Sequence, residues 1–146
     1  MRAAMAIGTA LAALVTGCGD SGPGPLPPEC SDGPDQVTKA LRGAPGEVRV
    51  EHTTLLSVCV ARATDDAELQ QLGYSFTPVA DRLREIGTRR AALELGFLVG
   101  AVHRGARDSN GIHAELVRRM DRRLAFDEPA LQHAADRGVA AGEAHG

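Results

Sequence analysis

His103, Arg104, Arg107 and His113 stand on either side of one turn, Asp108-Ser109-Asn110-Gly111. Cationic side chains beside free backbone N–H groups at a helix N-terminus can hold an anion such as phosphate or carboxylate. The competing reading is a capped turn with solvated Arg. Three further His residues, His52, His133 and His145, invite a metal reading. None of the five belongs to a His-Glu-x-x-His pair or to the Glu-x-x-His motif of di-iron bundles. Zinc sites show tighter Cys and His spacings. No metal and no other cofactor is expected. A Gly-x-Ser-x-Gly elbow and a phosphate-binding Gly-Lys loop are both missing from the sequence. Ser57 and Cys59 lie in an apolar stretch, a poor place for an exposed nucleophile, and a reactive thiol needs an accessible, electropositive setting. Glu51 and His52 are sequence neighbours, which do not face each other on a helix or strand. No catalytic residue is assigned, and binding is the chemistry these residues offer.

The N-terminal residues speak of location. Met1-Arg2 is a positive start, Ala3 to Val15 is an almost unbroken apolar run, and Thr16-Gly17-Cys18 follows. The run is short of the ~20 apolar residues a bilayer-spanning helix needs. A charged start, an apolar middle and small residues at the cut are the layout of a secretory signal. Leu14-Val15-Thr16-Gly17-Cys18 resembles the lipobox of bacterial lipoproteins. The resemblance implies lipidation of Cys18 on sulfur, a palmitate-bearing anchor, and cleavage just before it, so that Cys18 becomes the new N-terminus. The product would be anchored to the cell membrane or envelope, outside the cytoplasm. If Cys18 carries lipid, Cys30 and Cys59 remain as an even pair in an oxidising compartment, and a disulfide between them is expected. The alternative is two unrelated thiols, with Cys59 a small buried hydrophobe.

Composition bounds the rest. With the signal excluded, the length suits one domain. One Tyr, three Phe and no Trp leave Leu, Val and Ala to build the core, and Ala-rich sequence favours helix. The net charge is −3, unevenly spread: ten Arg against five acids fall between Arg82 and Arg123, with acidic excess on both sides. Neither this balance nor an exported location points to nucleic acid.

The elements follow from periodicity and punctuation. Gly19 to Glu29 is Pro/Gly-rich and reads as a spacer that could hold a domain ~30 Å from a membrane if extended. Asp32-Gly33-Pro34 opens a helix carrying Val37, Ala40 and Leu41, with Gly43 as its stop. Glu47 to Glu51 alternates like a strand but shows no convincing partner. From Thr54 a buried helix carries Leu55, Leu56, Val58, Cys59, Val60 and Ala63. Asp65 with Glu68 caps the next helix. There Leu69, Leu72, Phe76, Val79, Leu83 and Ile86 recur at spacings of three and four, a register that favours one helix kinked at Pro78 over two. Thr88 starts a helix to about Ala106, apolar around most of its girth and hence central. Its row Ala92, Gly96, Gly100 lets another backbone approach. That row could line a ligand pocket, or form a membrane dimerisation face, which Glu94 opposes. Ile112, Leu116, Val117, Met120 and Leu124 face inward on the following helix. Arg118, Arg119, Arg122 and Arg123 face outward, either toward anionic lipid headgroups or simply into solvent, with Glu115–Arg119 an ordinary i,i+4 pair. Asp127-Glu128-Pro129 opens a last short helix.

The expected architecture is therefore all-α, a small bundle of four to five helices. The expected organisation is a signal over 1–17, a flexible lipid-anchored tether over 18–29, a helical domain over 30–137 and a frayed end over 138–146. The expected role is binding or structural, through the membrane at Cys18 and an envelope protein partner. The alternatives are a small-ligand- or anion-binding helical protein, and an envelope enzyme using residues around His103 and Arg104.

Overall fold

The computed structural model describes residues 24–146; Cys18, the expected signal and the first part of the tether lie outside them. The described chain is mostly helical. A short 3-10 turn, Pro28–Ser31, leads into α1 (Pro34–Leu41), β1 (Arg49–Val50), β2 (Thr54–Leu55), α2 (Leu56–Arg62), α3 (Asp66–Ile86), α4 (Arg89–Ala106), α5 (Ala114–Asp121) and α6 (Pro129–His145). Among the described residues there are six α-helices where four to five were expected, because α1, α2 and α5 are each only seven or eight residues long.

The capping signals act where the sequence places them. The Asp65 carboxylate accepts from the Glu68 amide at 2.8 Å, and Glu68 accepts from the Thr64 amide at 2.8 Å. The Thr88 hydroxyl accepts from the Ala91 amide at 3.2 Å. The Asp65 and Thr88 bonds each satisfy an amide that the first turn of a helix leaves free, and the Glu68 bond holds the residue that precedes the cap. α3 runs unbroken through Pro78 and stops at Gly87, which is left-handed with φ 61°. Leu72, Phe76, Val79 and Leu83 bury its inner face, while Ile86, expected on that face, is exposed at the helix end.

The N-terminal region departs from expectation twice. The strand-like stretch does have a partner: Arg49 pairs with Leu55 and Val50 with Thr54, antiparallel. Glu51 and His52 make the turn, both at positive φ (48° and 65°), and the Thr53 amide closes it onto the Val50 carbonyl at 3.0 Å. Tight hairpins favour this left-handed geometry but usually place Asn-Gly there. The expected flexible tether over 18–29 is also corrected for its described part. Leu26 packs against the core, and the chain turns helical at Pro28. Glu29 accepts hydrogen bonds from the hydroxyls of Thr54 and, at 3.1 Å, Thr53. The Thr54 bond, above all, holds the Glu29 carboxyl below its ordinary pKa. Cys30 and Cys59 form a disulfide, Cα atoms 5.5 Å apart, which joins this turn to α2.

The centre of the fold is α4 against α6. Gly96 meets Ala135, Gly100 meets Val139 and Gly142, and Gly138 meets Leu93 and Phe97, so the two helices run parallel. A Cβ at Gly96 would strike the Ala135 carbonyl oxygen, and one at Gly100 the Val139 carbonyl oxygen. Reciprocally, Gly138 lies on the Leu93 oxygen and Gly142 on the Phe97 oxygen. This is backbone-on-backbone packing of the kind that permits Cα–H···O contacts. The row Ala92–Gly96–Gly100 therefore serves a helix of its own chain, neither lining a pocket nor facing a second molecule. It also corrects the frayed end: residues past Gly138 continue α6 to His145, because Gly138 and Gly142 are interface positions and not stops. Among the described residues no helix is long and apolar enough to cross a membrane.

Two stability measurements check this packing. Alanine is better than glycine in a helix by about 1 kcal/mol, but overpacking costs about 1–3 kcal/mol or more. Gly100→Ala should therefore lower stability in urea by about 2 kcal/mol. Gly73→Ala, where a Cβ meets only the Arg119 guanidinium at 3.3 Å, should raise it by about 0.5–1 kcal/mol. The disulfide closes a loop spanning 29 residues, so Cys30→Ser with Cys59→Ser should cost about 3–4 kcal/mol in the same assay.

Candidate functional site

The four residues expected to hold an anion do not converge. His103, near the end of α4, lies between two carboxylates: Nε2 is 2.7 Å from Asp121 Oδ1 and Nδ1 is 3.3 Å from Glu143 Oε1. Only the doubly protonated ring can donate to both. Its placement ties α5 and α6 to α4. Arg104 turns to α6 and donates to the Ala144 carbonyl at 2.5 Å. His113 is 2% exposed, with Nε2 2.9 Å from the Ala63 carbonyl oxygen and a buried Nδ1 without a partner. It is a packing residue between the end of α2 and the start of α5.

Only Arg107 remains at the turn. It lines an open depression of about 670 Å³ with Asp108, Ser109, Asn110, Arg118 and Asp121. Two carboxylates on the rim oppose an anion as strongly as two guanidiniums favour it. The four residues of the expected anion constellation are thus dispersed: His103, Arg104 and His113 make four bonds to other parts of the fold, and Arg107 alone faces the turn.

The other chemistry-bearing groups are also engaged. Ser57 is 5% exposed and donates to the Gly146 carbonyl. Cys59 is in the disulfide. Among the described residues no three His, Cys, Asp or Glu are grouped so as to hold a metal ion. His52 lines a cleft of about 260 Å³ between α1 and the hairpin with Lys39, Glu47, Arg49 and Glu51, but no Ser or Cys faces it and Glu47 pairs with Arg49.

The surface that stands out was not anticipated. A groove of about 570 Å³ runs between α3 and α5, lined by Leu69, Gly73, Tyr74, Ile112, Leu116 and Arg119 with the acids Asp66 and Glu115. Tyr74 is 65% exposed and Ile112 43%, two of the three large exposed hydrophobic residues among those described. The sequence had Ile112 facing inward; it precedes α5 and stays outside, while Leu116 and Met120 go in. Tyr74 carries a readable signal, because it falls two residues after Leu72 and two before Phe76, off the buried register. Gly73 leaves room for Arg119 to lie across α3. Beside the groove, Glu115 meets Arg118 at 3.2 Å, Arg119 at 3.6 Å and Arg122 at 3.9 Å. Within this group one carboxylate meets three guanidiniums, an excess of two positive charges on the outer face of α5. Arg123 is occupied elsewhere, bonded to Asp81 at 2.6 Å.

Comparison with protein families, curated proteins and solved structures finds nothing that matches this chain.

The burial of His113 makes a testable difference from Arg107. His113→Ala removes the partner of a buried carbonyl and should cost about 2–3 kcal/mol in urea unfolding. Arg107→Ala, on the exposed turn, should stay within about 0.5 kcal/mol.

Proposed function

We propose that this chain is an exported protein, lipid-anchored through Cys18 to the cell envelope, whose helical domain acts as a binding or interaction module. The observation that carries the reading is the N-terminal run from Ala3 to Val15 ending in Leu14-Val15-Thr16-Gly17-Cys18. The disulfide supports it, because such bonds persist in oxidising compartments and are rare in the cytosol. The module reading draws on the exposed groove. Tyr74 and Ile112 offer apolar area to a partner, whereas His103, Ser57 and His113 spend their polar groups on internal bonds. An exposed apolar patch rimmed by polar groups is the mark of an interaction surface.

Metabolic labelling with a fatty acid tests the anchor. The wild-type chain should incorporate label and fractionate with membranes. Cys18→Ala should abolish both the label and the shift caused by signal removal. Labelling that persists in Cys18→Ala overturns the proposal.

A further inference from the structure

We propose that the α3–α5 groove and the Arg face of α5 beside it are the surface that the anchored domain lays against an anionic phospholipid headgroup layer. This rests on lipidation at Cys18. First, the N-terminal segment meets the domain close to the groove. Gly24 sits against the Arg62 guanidinium at the end of α2. The next residue, Ala63, receives the His113 contact, and Ile112 precedes His113. Asp66, three residues past Ala63, lines the same groove. The tether root and the groove thus share one end of the domain.

The second argument is reach. Only five residues lie between Cys18 and Gly24, and the six steps from one to the other span at most about 20 Å. The spacer read from sequence was twice as long, but Leu26 and the Pro28–Ser31 turn are packed on the domain. A domain held this close, by the end that carries the groove, must spend much of its time with that end near the headgroups. Electrostatic attraction decays over about 8 Å at physiological salt, so contact falls within the tether's range.

The third argument is chemistry. A Tyr ring with an apolar body and a polar tip, an Ile, and a cluster of guanidiniums with apolar stems are the groups that suit the boundary between acyl chains and phosphates. Arg118, Arg119 and Arg122 exceed Glu115 by two charges, and guanidinium binds phosphate in a forked geometry. Asp66 is the remaining acid of the groove, and with Asp65 and Glu68 it stands at the start of α3, where the helix dipole offsets part of the negative charge. Acidic partner proteins could also meet such a face; the short tether at the same end is what favours lipid.

The absence of Trp from the chain provides the probe. Tyr74→Trp puts a single indole at the groove. The full chain carrying this substitution is extracted from membranes, its Cys18 lipid verified by mass, and it is reconstituted into vesicles of phosphatidylcholine alone or with phosphatidylglycerol. The expected result is a blue-shifted emission, quenched by brominated lipid, in the phosphatidylglycerol vesicles. It should fade at about 1 M salt, where the screening length falls to about 3 Å. Arg118→Ala, Arg119→Ala and Arg122→Ala together should abolish the shift while the protein still floats with the vesicles, and the three Lys replacements should restore it. Emission that is the same in both vesicles, from protein that carries lipid and floats, overturns this inference and leaves the anchor standing. A shift that appears only when an envelope protein copurifies also overturns it. A mass without lipid overturns the anchor, and this inference with it.

Discussion

The contact on which the fold depends is the meeting of two backbones, α4 and α6. Glycines at 96 and 100 face glycines at 138 and 142, and each would collide with a carbonyl if it gained a single carbon. A chain with so few aromatic residues cannot fill a wide space between helices. It closes the space instead, and dispersion over many near backbone atoms replaces large side chains. The parallel course of the pair has a further consequence. The chain must return along the whole length of α4 before α6 can begin. α5 and the segment after it make that return, so α5 is held by its ends more than by a deep core: His103 bonds to its last residue, Asp121, and His113 anchors its start to Ala63.

That arrangement explains the groove. α5 buries Leu116 and Met120, but its flank toward α3 offers Glu115 and Arg119, and α3 offers Gly73 and Tyr74 in return. Small and charged groups do not close an interhelical furrow as the glycine seam does. The positive excess of α5 lies beside the furrow because its inward positions are already taken. The Arg cluster, the exposed Tyr74 and the exposed Ile112 are therefore products of one constraint, the return path of α5.

Much of this was legible in the sequence, for reasons of local physics. α3 could be read from its register and from the Asp65 cap, α4 from its apolar girth and Thr88, and the disulfide from the parity of cysteines left by Cys18. The central seam was half legible: the row on α4 announced a close neighbour without naming it. Its partner was hidden because Gly138 and Gly142 look like terminators when the helix they face is unknown. The hairpin was hidden because Glu51-His52 lacks the usual turn residues. The anion constellation failed for a different reason. Sequence spacing shows which residues lie near a turn but not which way they point, and His103, Arg104 and His113 each found a bond to another helix. The groove left only one trace, Tyr74 out of step with Leu72 and Phe76.

The position of the disulfide bears on how firmly the first packed residues are held. A short N-terminal turn is normally the easiest part of a domain to peel away. Here the turn Pro28–Ser31 is bonded through Cys30 to Cys59 in the middle of α2. α2 is itself seated on α4, where Gly105 lies against Ser57 and Val60. Glu29 adds a second tie to the hairpin through Thr53 and Thr54. The Pro28–Ser31 turn is thereby coupled through α2 to α4, the helix that the glycine seam holds. The covalent link and the seam stand in series, one joining the Pro28–Ser31 turn to α2 and the other joining α4 to α6. That coupling ties the N-terminal turn to the centre of the bundle.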